Sequence, residues 1–407
     1  MPAIDRHLSR IANQTYRRAR RVINREPWWE DLPESFPRWG DHFDLNLRER
    51  LMVGGTAAID VALRTAVASV AGVLAVPGTL RPDTVRLDRE HRDFYVQLAR
   101  AGNPAGFYQR PERGVTLQRH APGLLDYRPE TGKVEVLSFE SRFTPVNPGM
   151  RDAYLRHRRN RTAWAEHWRH GDRPRPTLLV IHGFAADPYW VNSRFLALPW
   201  FYEQGYDVML VTLPFHGRRQ EVTSPYSGHG WFSHGFCHMN ETMAHAIHDI
   251  RVLMDHLEDQ GVPQMGVTGI SLGGYTSALL ASVDNRLTFA VPNVPVVSIM
   301  DIVLEWLPAG WLARAGMALG GISVTQARAA VAVQSALSFK PLLPPERLML
   351  VAGAGDRLAP PKHTRLLWEH WGRPRLHWFP GNHLLHLDQG RYLRAMKVFM
   401  RQVGFVP

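Results

Sequence analysis

Ser271 stands in Gly269-Ile270-Ser271-Leu272-Gly273, a G-x-S-x-G pattern. The apolar run Met265–Thr268 before it reads as a buried strand, and the small, apolar run Gly274–Ala281 after it reads as a packed helix. A strand turning sharply into a helix lifts a serine hydroxyl above a sheet and holds its backbone under strain. Such a serine is a nucleophile if a base takes its proton and a carboxylate orients the base. Residues able to do so follow in the chain. Asp356 sits in the glycine-rich turn Gly353-Ala354-Gly355-Asp356 that ends the strand-like Arg347–Ala352, with Asp301 as the alternative acid. His383 lies in Pro380-Gly381-Asn382-His383, just past the strand-like Arg375–Phe379, with His386 as the alternative base. An Asp before a proline-started helix also fits a helix cap.

An acyl-transfer centre further needs N–H donors aimed at the developing oxyanion, each worth roughly 3–4 kcal/mol in the transition state. The β-branched strand Thr177–Ile181 runs into His182-Gly183-Phe184, so the amides of Phe184 and Leu272 are the expected donors. His182 and His216, together with Arg218 in the loop after the strand Tyr206–Leu213, are candidates for substrate contact. The guanidinium suits a carboxylate or phosphate; pairing with Glu221 is the alternative.

With these four elements in this order, the chain from about Val115 onward resembles the α/β-hydrolase superfamily, and within it serine esterases, lipases and dienelactone-hydrolase-like enzymes. The resemblance implies an α/β fold with a mostly parallel central sheet and helices on both faces. It also implies the order nucleophile, acid, base, realised here as Ser271, Asp356 and His383. The expected activity is hydrolysis of a carboxylic ester through an acyl-enzyme, without metal or organic cofactor. Acyl transfer or peptide cleavage by the same residues, and a non-catalytic scaffold binding lipid or a partner, are the alternatives.

The remaining elements must position this set. The expected organisation is a mainly helical extension over 1–110 and a catalytic domain over 111–407, with a cap inserted at 297–340. The cap segment is apolar and helical, with Ile299, Ile302, Trp306 and Met317 pointing to a substrate with a hydrophobic part. Within the extension, a basic helix is expected over 1–24, an aromatic irregular arm over 26–44, a helix over 47–74 kinked or broken at Gly54-Gly55, and another over 88–101. Strands over 114–119 and 133–139 are expected as the antiparallel sheet edge, and the arginine-rich 151–170 is expected to be a helix.

The net charge of +11 is carried by arginine, since lysine occurs only at 133, 340, 362 and 397. It is read as a solvated basic face, with no nucleic-acid partner and with the N-terminal region as the candidate for peripheral membrane contact. Cys237 is the single cysteine, which excludes an intrachain disulfide and fits a reducing compartment. The first residues lack the apolar core of a secretory signal, and Val61–Val76 falls short of the ~20 residues a membrane span needs. Cytoplasm is the expected location. Histidines at 229, 234, 238, 245 and 248 show no tight metal-ligand spacing. Oligomeric state is left open.

Overall fold

The computed structural model describes residues 27–407 except 42, 70–72, 172, 186, 187 and 388. The basic helix expected over 1–24 lies outside the described residues.

Among the described residues nine strands form one sheet in the order β1-β2-β3-β5-β4-β6-β7-β8-β9. They are β1 (Gln118–His120), β2 (Lys133–Glu140), β3 (Thr162–Arg169), β4 (Thr177–Ile181), β5 (Asp207–Thr212), β6 (Met265–Ile270), β7 (Leu287–Asn293), β8 (Met349–Gly353) and β9 (Arg375–Phe379). β4 through β9 run parallel, while β1–β2, β2–β3 and β3–β5 pair antiparallel. The order reverses at β4, which lies between β5 and β6, so the loops leaving β4 and β6 meet at the carboxyl edge. That is where open α/β sheets bind ligands.

The period of two in the strands divides the core. Leu179, Ile181, Met209 and Val211 face one apolar layer. Leu178, Val180, Val208 and Leu210 face the other. Burying such a side chain contributes roughly 1.5–3 kcal/mol, so a one-residue slip would reverse both layers at once.

One expectation fails here. Residues 151–170 are not a helix: after one short turn (Arg151–Leu155) and a 3-10 turn (Arg158–Arg161), the chain becomes β3. β3 pairs over eight residues with β2 and over five with β5, and Ala163, Ala165 and Trp168 are buried. Its arginines lie mainly before the strand, and the Trp-Ala-Glu-His-Trp segment gains more from pairing on both edges than from helix propensity. β1 is also shorter and later than expected.

The helices used below are α1 (Leu47–Val67), α2 (Pro82–Arg100), α3 (Gly235–Asp259), α4 (Leu272–Val283), α5 (Ile299–Glu305), α6 (Ala309–Leu319), α7 (Val324–Ala330), α8 (Pro361–His370) and α9 (Gln389–Gln402). α1 starts in a capping box, Asn46 with Glu49, and runs through Gly54-Gly55 without a break. The aromatic arm before it is anchored: Trp28, Trp29 and Phe36 belong to the same apolar layer as β4 and α3. Arg328 on α7 donates to the carbonyls of Leu32 and Pro33, and the Lys362 ammonium to those of Phe36, Pro37 and Trp39. Among the described residues no helix is long and apolar enough to cross a membrane.

Candidate active site

β6 ends at Ile270, and Ser271 adopts φ 58°, ψ −114° before α4 begins at Leu272. A non-glycine residue at this φ costs of order 1–3 kcal/mol, and the surroundings hold it there. The Ser271 N–H donates to the Asn293 carbonyl at 3.0 Å, and the Tyr275 N–H donates to the Ser271 carbonyl at 2.8 Å. The turn closes only because its flanks are bare. A Cβ on Gly273 would stand 2.0 Å from the Ile181 carbonyl oxygen, and one on Gly269 2.5 Å from that of Gly273.

The turn after β4 lies against this elbow: a Cβ on Gly183 would sit 3.5 Å from that of Ser271. His182 fixes the turn. One ring nitrogen meets the Gly183 carbonyl at 2.8 Å, and the other accepts the Leu213 N–H at 3.1 Å. Burial lowers its pKa to about 4, so the ring is neutral and committed. The amides of Phe184 and Leu272 donate to no other described residue, which leaves them available to a ligand.

Beyond β8 and β9, Asp356 and His383 come together. His383 Nδ1 lies 2.8 Å from Asp356 Oδ2, while Asp356 Oδ1 accepts the N–H groups of Leu358 and Ala359 at 2.9 and 2.7 Å. The same carboxylate thus caps its turn and orients the ring. Burial pulls the His383 pKa down, but the Asp356 carboxylate, helped by Asp60, outweighs it and the net shift is upward. His386 is engaged elsewhere, at 3.1 Å from both the Tyr392 hydroxyl and the His383 carbonyl, and Asp301 is ion-paired with Arg328 at 2.7 Å. Among the described residues no hydrogen bond joins the Ser271 hydroxyl to His383. The structure brings acid and base together, and separately elbow and donor turn.

Ser271, Leu272 and Phe184 line a cavity of about 540 Å³. Ile302 of α5, Trp306 just after it and Met317 of α6, all within the segment expected as a cap, line the same cavity. Residues before the sheet line it too, among them Leu80 and Val85, with Arg89 and Arg92 of α2. Sequence reasoning missed this contribution, because no local pattern marks a helix for contact with a site some 200 residues later in the chain. His182, His216 and Arg218 do not line the cavity. His216 is fully buried, with one ring nitrogen 2.8 Å from the Pro214 carbonyl, and Arg218 is exposed over the Trp164 ring.

A second constellation of the same residue types lies elsewhere. Ser141 Oγ is 2.9 Å from His245 Nε2 and also donates to Asp249, whose carboxylate pairs with Arg219 at 2.8 Å. The Tyr154 hydroxyl meets His245 Nδ1 at 3.0 Å. Burial drives the His245 pKa down to about 4. Among the described residues no group of three or more His, Cys, Asp or Glu side chains is arranged to hold a metal ion.

Comparison with known proteins agrees with this architecture. The family model described as "Alpha/beta hydrolase domain containing 18" matches residues 157–314. Two uncharacterized proteins of Mycobacterium tuberculosis, MT2702 (strain CDC 1551 / Oshkosh) and Rv2627c (strain ATCC 25618 / H37Rv), are 28% and 29% identical to this chain. Both alignments run over 333 residues, 77% of this chain and 74% of the relative. Among solved structures, acetyl xylan esterase 1 from Thermoanaerobacterium sp. JW/SL YS485 superposes with a TM-score of 0.52 at 15% identity, over 77% of this chain and 94% of that one. The acetyl xylan esterase from Paenibacillus sp. R4 gives 0.50 at 14%, over 76% and 94%. At that identity the likeness shows the fold.

Proposed function

From the α/β-hydrolase fold of the chain and the match of residues 157–314 to an α/β-hydrolase family model, we propose that it is a serine hydrolase acting on carboxylic esters with a hydrophobic part. The observation that carries this reading is Ser271, held at φ 58° beside two unengaged amides at the edge of a largely apolar cavity.

In this mechanism Ser271 Oγ attacks the ester carbonyl carbon while His383 Nε2 takes the hydroxyl proton. Asp356 stabilises the imidazolium through Nδ1. The carbonyl oxygen becomes an oxyanion held by the N–H groups of Phe184 and Leu272. When the C–O bond breaks, His383 returns the proton to the departing alcohol, leaving an acyl group on Ser271. Water, deprotonated by the same imidazole, then releases the acid. No step calls on a metal or organic cofactor. The contact between Oγ and His383 is expected to form in the substrate complex, where such hydrogen bonds tighten. A pocket lined by Ile302, Trp306 and Met317 favours apolar chains over sugars or peptides on solvation grounds.

The test is covalent. An organophosphonate should add one adduct to the protein, at Ser271, and abolish hydrolysis of p-nitrophenyl esters. A Ser271→Ala variant that still hydrolyses them at the original rate overturns the reading.

A further inference from the structure

α1 precedes every strand of the sheet, yet it reaches the acid and base loops at several points. Asp60 is fully buried on this helix. Its Oδ2 accepts two backbone N–H groups, that of Arg357 and that of His383, each at 2.9 Å. One of these is the peptide next to the acid, and the other belongs to the base itself. One turn earlier, the Thr56 carbonyl accepts from Asn382 Nδ2 at 2.7 Å; one turn later, the Arg64 guanidinium donates to the Arg357 carbonyl at 3.2 Å. The helix approaches so closely that a Cβ on Gly355 would lie 3.0 Å from the Val53 carbonyl oxygen.

We propose that Asp60 is a positioning residue for the Asp356–His383 pair, a single carboxylate oxygen tying the two loops that carry acid and base. The inference rests on the function proposed above. A loop anchored only through its own strand is free to drift, and a displacement of about 1 Å at a reacting group costs on the order of 10²-fold in rate. Oδ2 removes that freedom from both loops together, because neither amide can leave without losing a charge-assisted hydrogen bond.

The carboxylate also adds negative charge near His383. The groups facing it are Asp356 and His383 from the two loops and Arg64 from its own helix, with Glu305 of α5 facing Arg64 in turn. Burial first, and then the Asp356 charge, raise the Asp60 pKa to about 6, so above that pH it supports the protonated form of His383.

The experiment compares wild type, Asp60→Asn and Asp60→Ala as full chains. It follows the rate of Ser271 modification by a fluorophosphonate against pH, the NMR titration of His383, and thermal melting. The amide of Asp60→Asn keeps an acceptor for both N–H groups but not the charge. Its plateau rate at alkaline pH should stay close to wild type, while its acid limb and the His383 titration both move to lower pH. Asp60→Ala should melt cooperatively and react roughly 10²-fold more slowly at that plateau. A wild-type rate in Asp60→Ala, or an unmoved acid limb and His383 titration in Asp60→Asn, overturns the proposal; the Asn variant decides if the Ala variant does not fold. Should wild-type Ser271 itself stay unmodified, the hydrolase reading fails, and the His383 titration still reports on Asp60.

Discussion

Among the described residues Ser141, His245 and Asp249 are in mutual contact, whereas of the proposed set Ser271, His383 and Asp356 only the last two touch, and the two sets behave in opposite ways. Around Ser141 the hydroxyl is already hydrogen-bonded to both partners, the carboxylate is neutralised by Arg219, and His245 is held neutral far below its ordinary pKa. At the carboxyl edge, among the described residues, the Ser271 hydroxyl has no such partner, Asp356 is paired with His383 rather than with a guanidinium, and His383 is shifted upward. The backbone differs as well: Ser271 is forced to positive φ beside free amides, whereas the Ser141 N–H is paired with the Arg161 carbonyl at 2.7 Å. A buried network whose members bond one another specifies the fold. A centre for chemistry keeps donors and a nucleophile unspent. Residue type alone does not separate the two.

The widest gap between them is expected on removing the nucleophile. Ser271→Ala should lower ester hydrolysis at least about 10³-fold, with His383→Ala lower by roughly 10²–10⁴-fold. Ser141→Ala should leave turnover intact and lower the melting temperature, since orphaning buried partners costs about 1–3 kcal/mol. Equal losses of turnover in Ser271→Ala and Ser141→Ala, with both folded, would erase the distinction.

The pH response should divide the sets next. His383 must be neutral to act as a base, and its pKa is raised above 6.5, so kcat/KM should fall as the pH drops through a value above 6.5. His245 has its folded pKa lowered from 6.5 to about 4. The unfolded chain therefore binds the proton first, and stability should be lost as pH falls from about 6.5 toward 4. Melting temperatures of wild type and His245→Gln across this range measure that share; parallel curves would remove it.

Substrate length sharpens the contrast between a cavity used for binding and a packed network. Each methylene added to the acyl chain should raise kcat/KM roughly fourfold, from ~0.8 kcal/mol per buried CH₂, until the space beside α5 and α6 is filled. Ile302→Trp should move that limit to shorter chains. A flat series in wild type would show that the cavity does not take the chain. The smallest effect belongs to Arg218→Ala: loss of its stacking on Trp164 costs about 0.5–1 kcal/mol of stability, with kcat/KM unchanged. A marked loss of activity would return Arg218 to the substrate.

What could be read from the chain was whatever is local. The strands Thr177–Ile181 and Arg375–Phe379 have the bounds expected from the sequence, and the glycines around Ser271 mark a turn that admits no side chain. β3 was misread because its state is set by partners on both edges, β2 and β5, and not by its own composition. Asp60 carried no signal at all. An acidic residue on an amphipathic helix ordinarily faces water, and only the placement of two loops about 300 residues further along gives this one its role. The same holds for Leu80 and Val85, whose contribution to the cavity depends on where α2 packs.

The aromatic arm carries a consequence for dissection of the molecule. Carbonyls of residues 32–39 are gripped by Arg328 and Lys362, and Trp28 donates to the Ser338 hydroxyl at 2.9 Å. Trimming the polypeptide to begin at residue 111 would remove these carbonyl acceptors, leaving the buried Arg328 guanidinium with Asp301 and the Lys362 ammonium with Glu305 alone, and open the apolar layer to water. The sheet with its helices is therefore expected not to fold by itself: proteolytic nicking ahead of β1 should release no active fragment, and a shortened version that begins before Trp28 should melt higher than one that begins at residue 111.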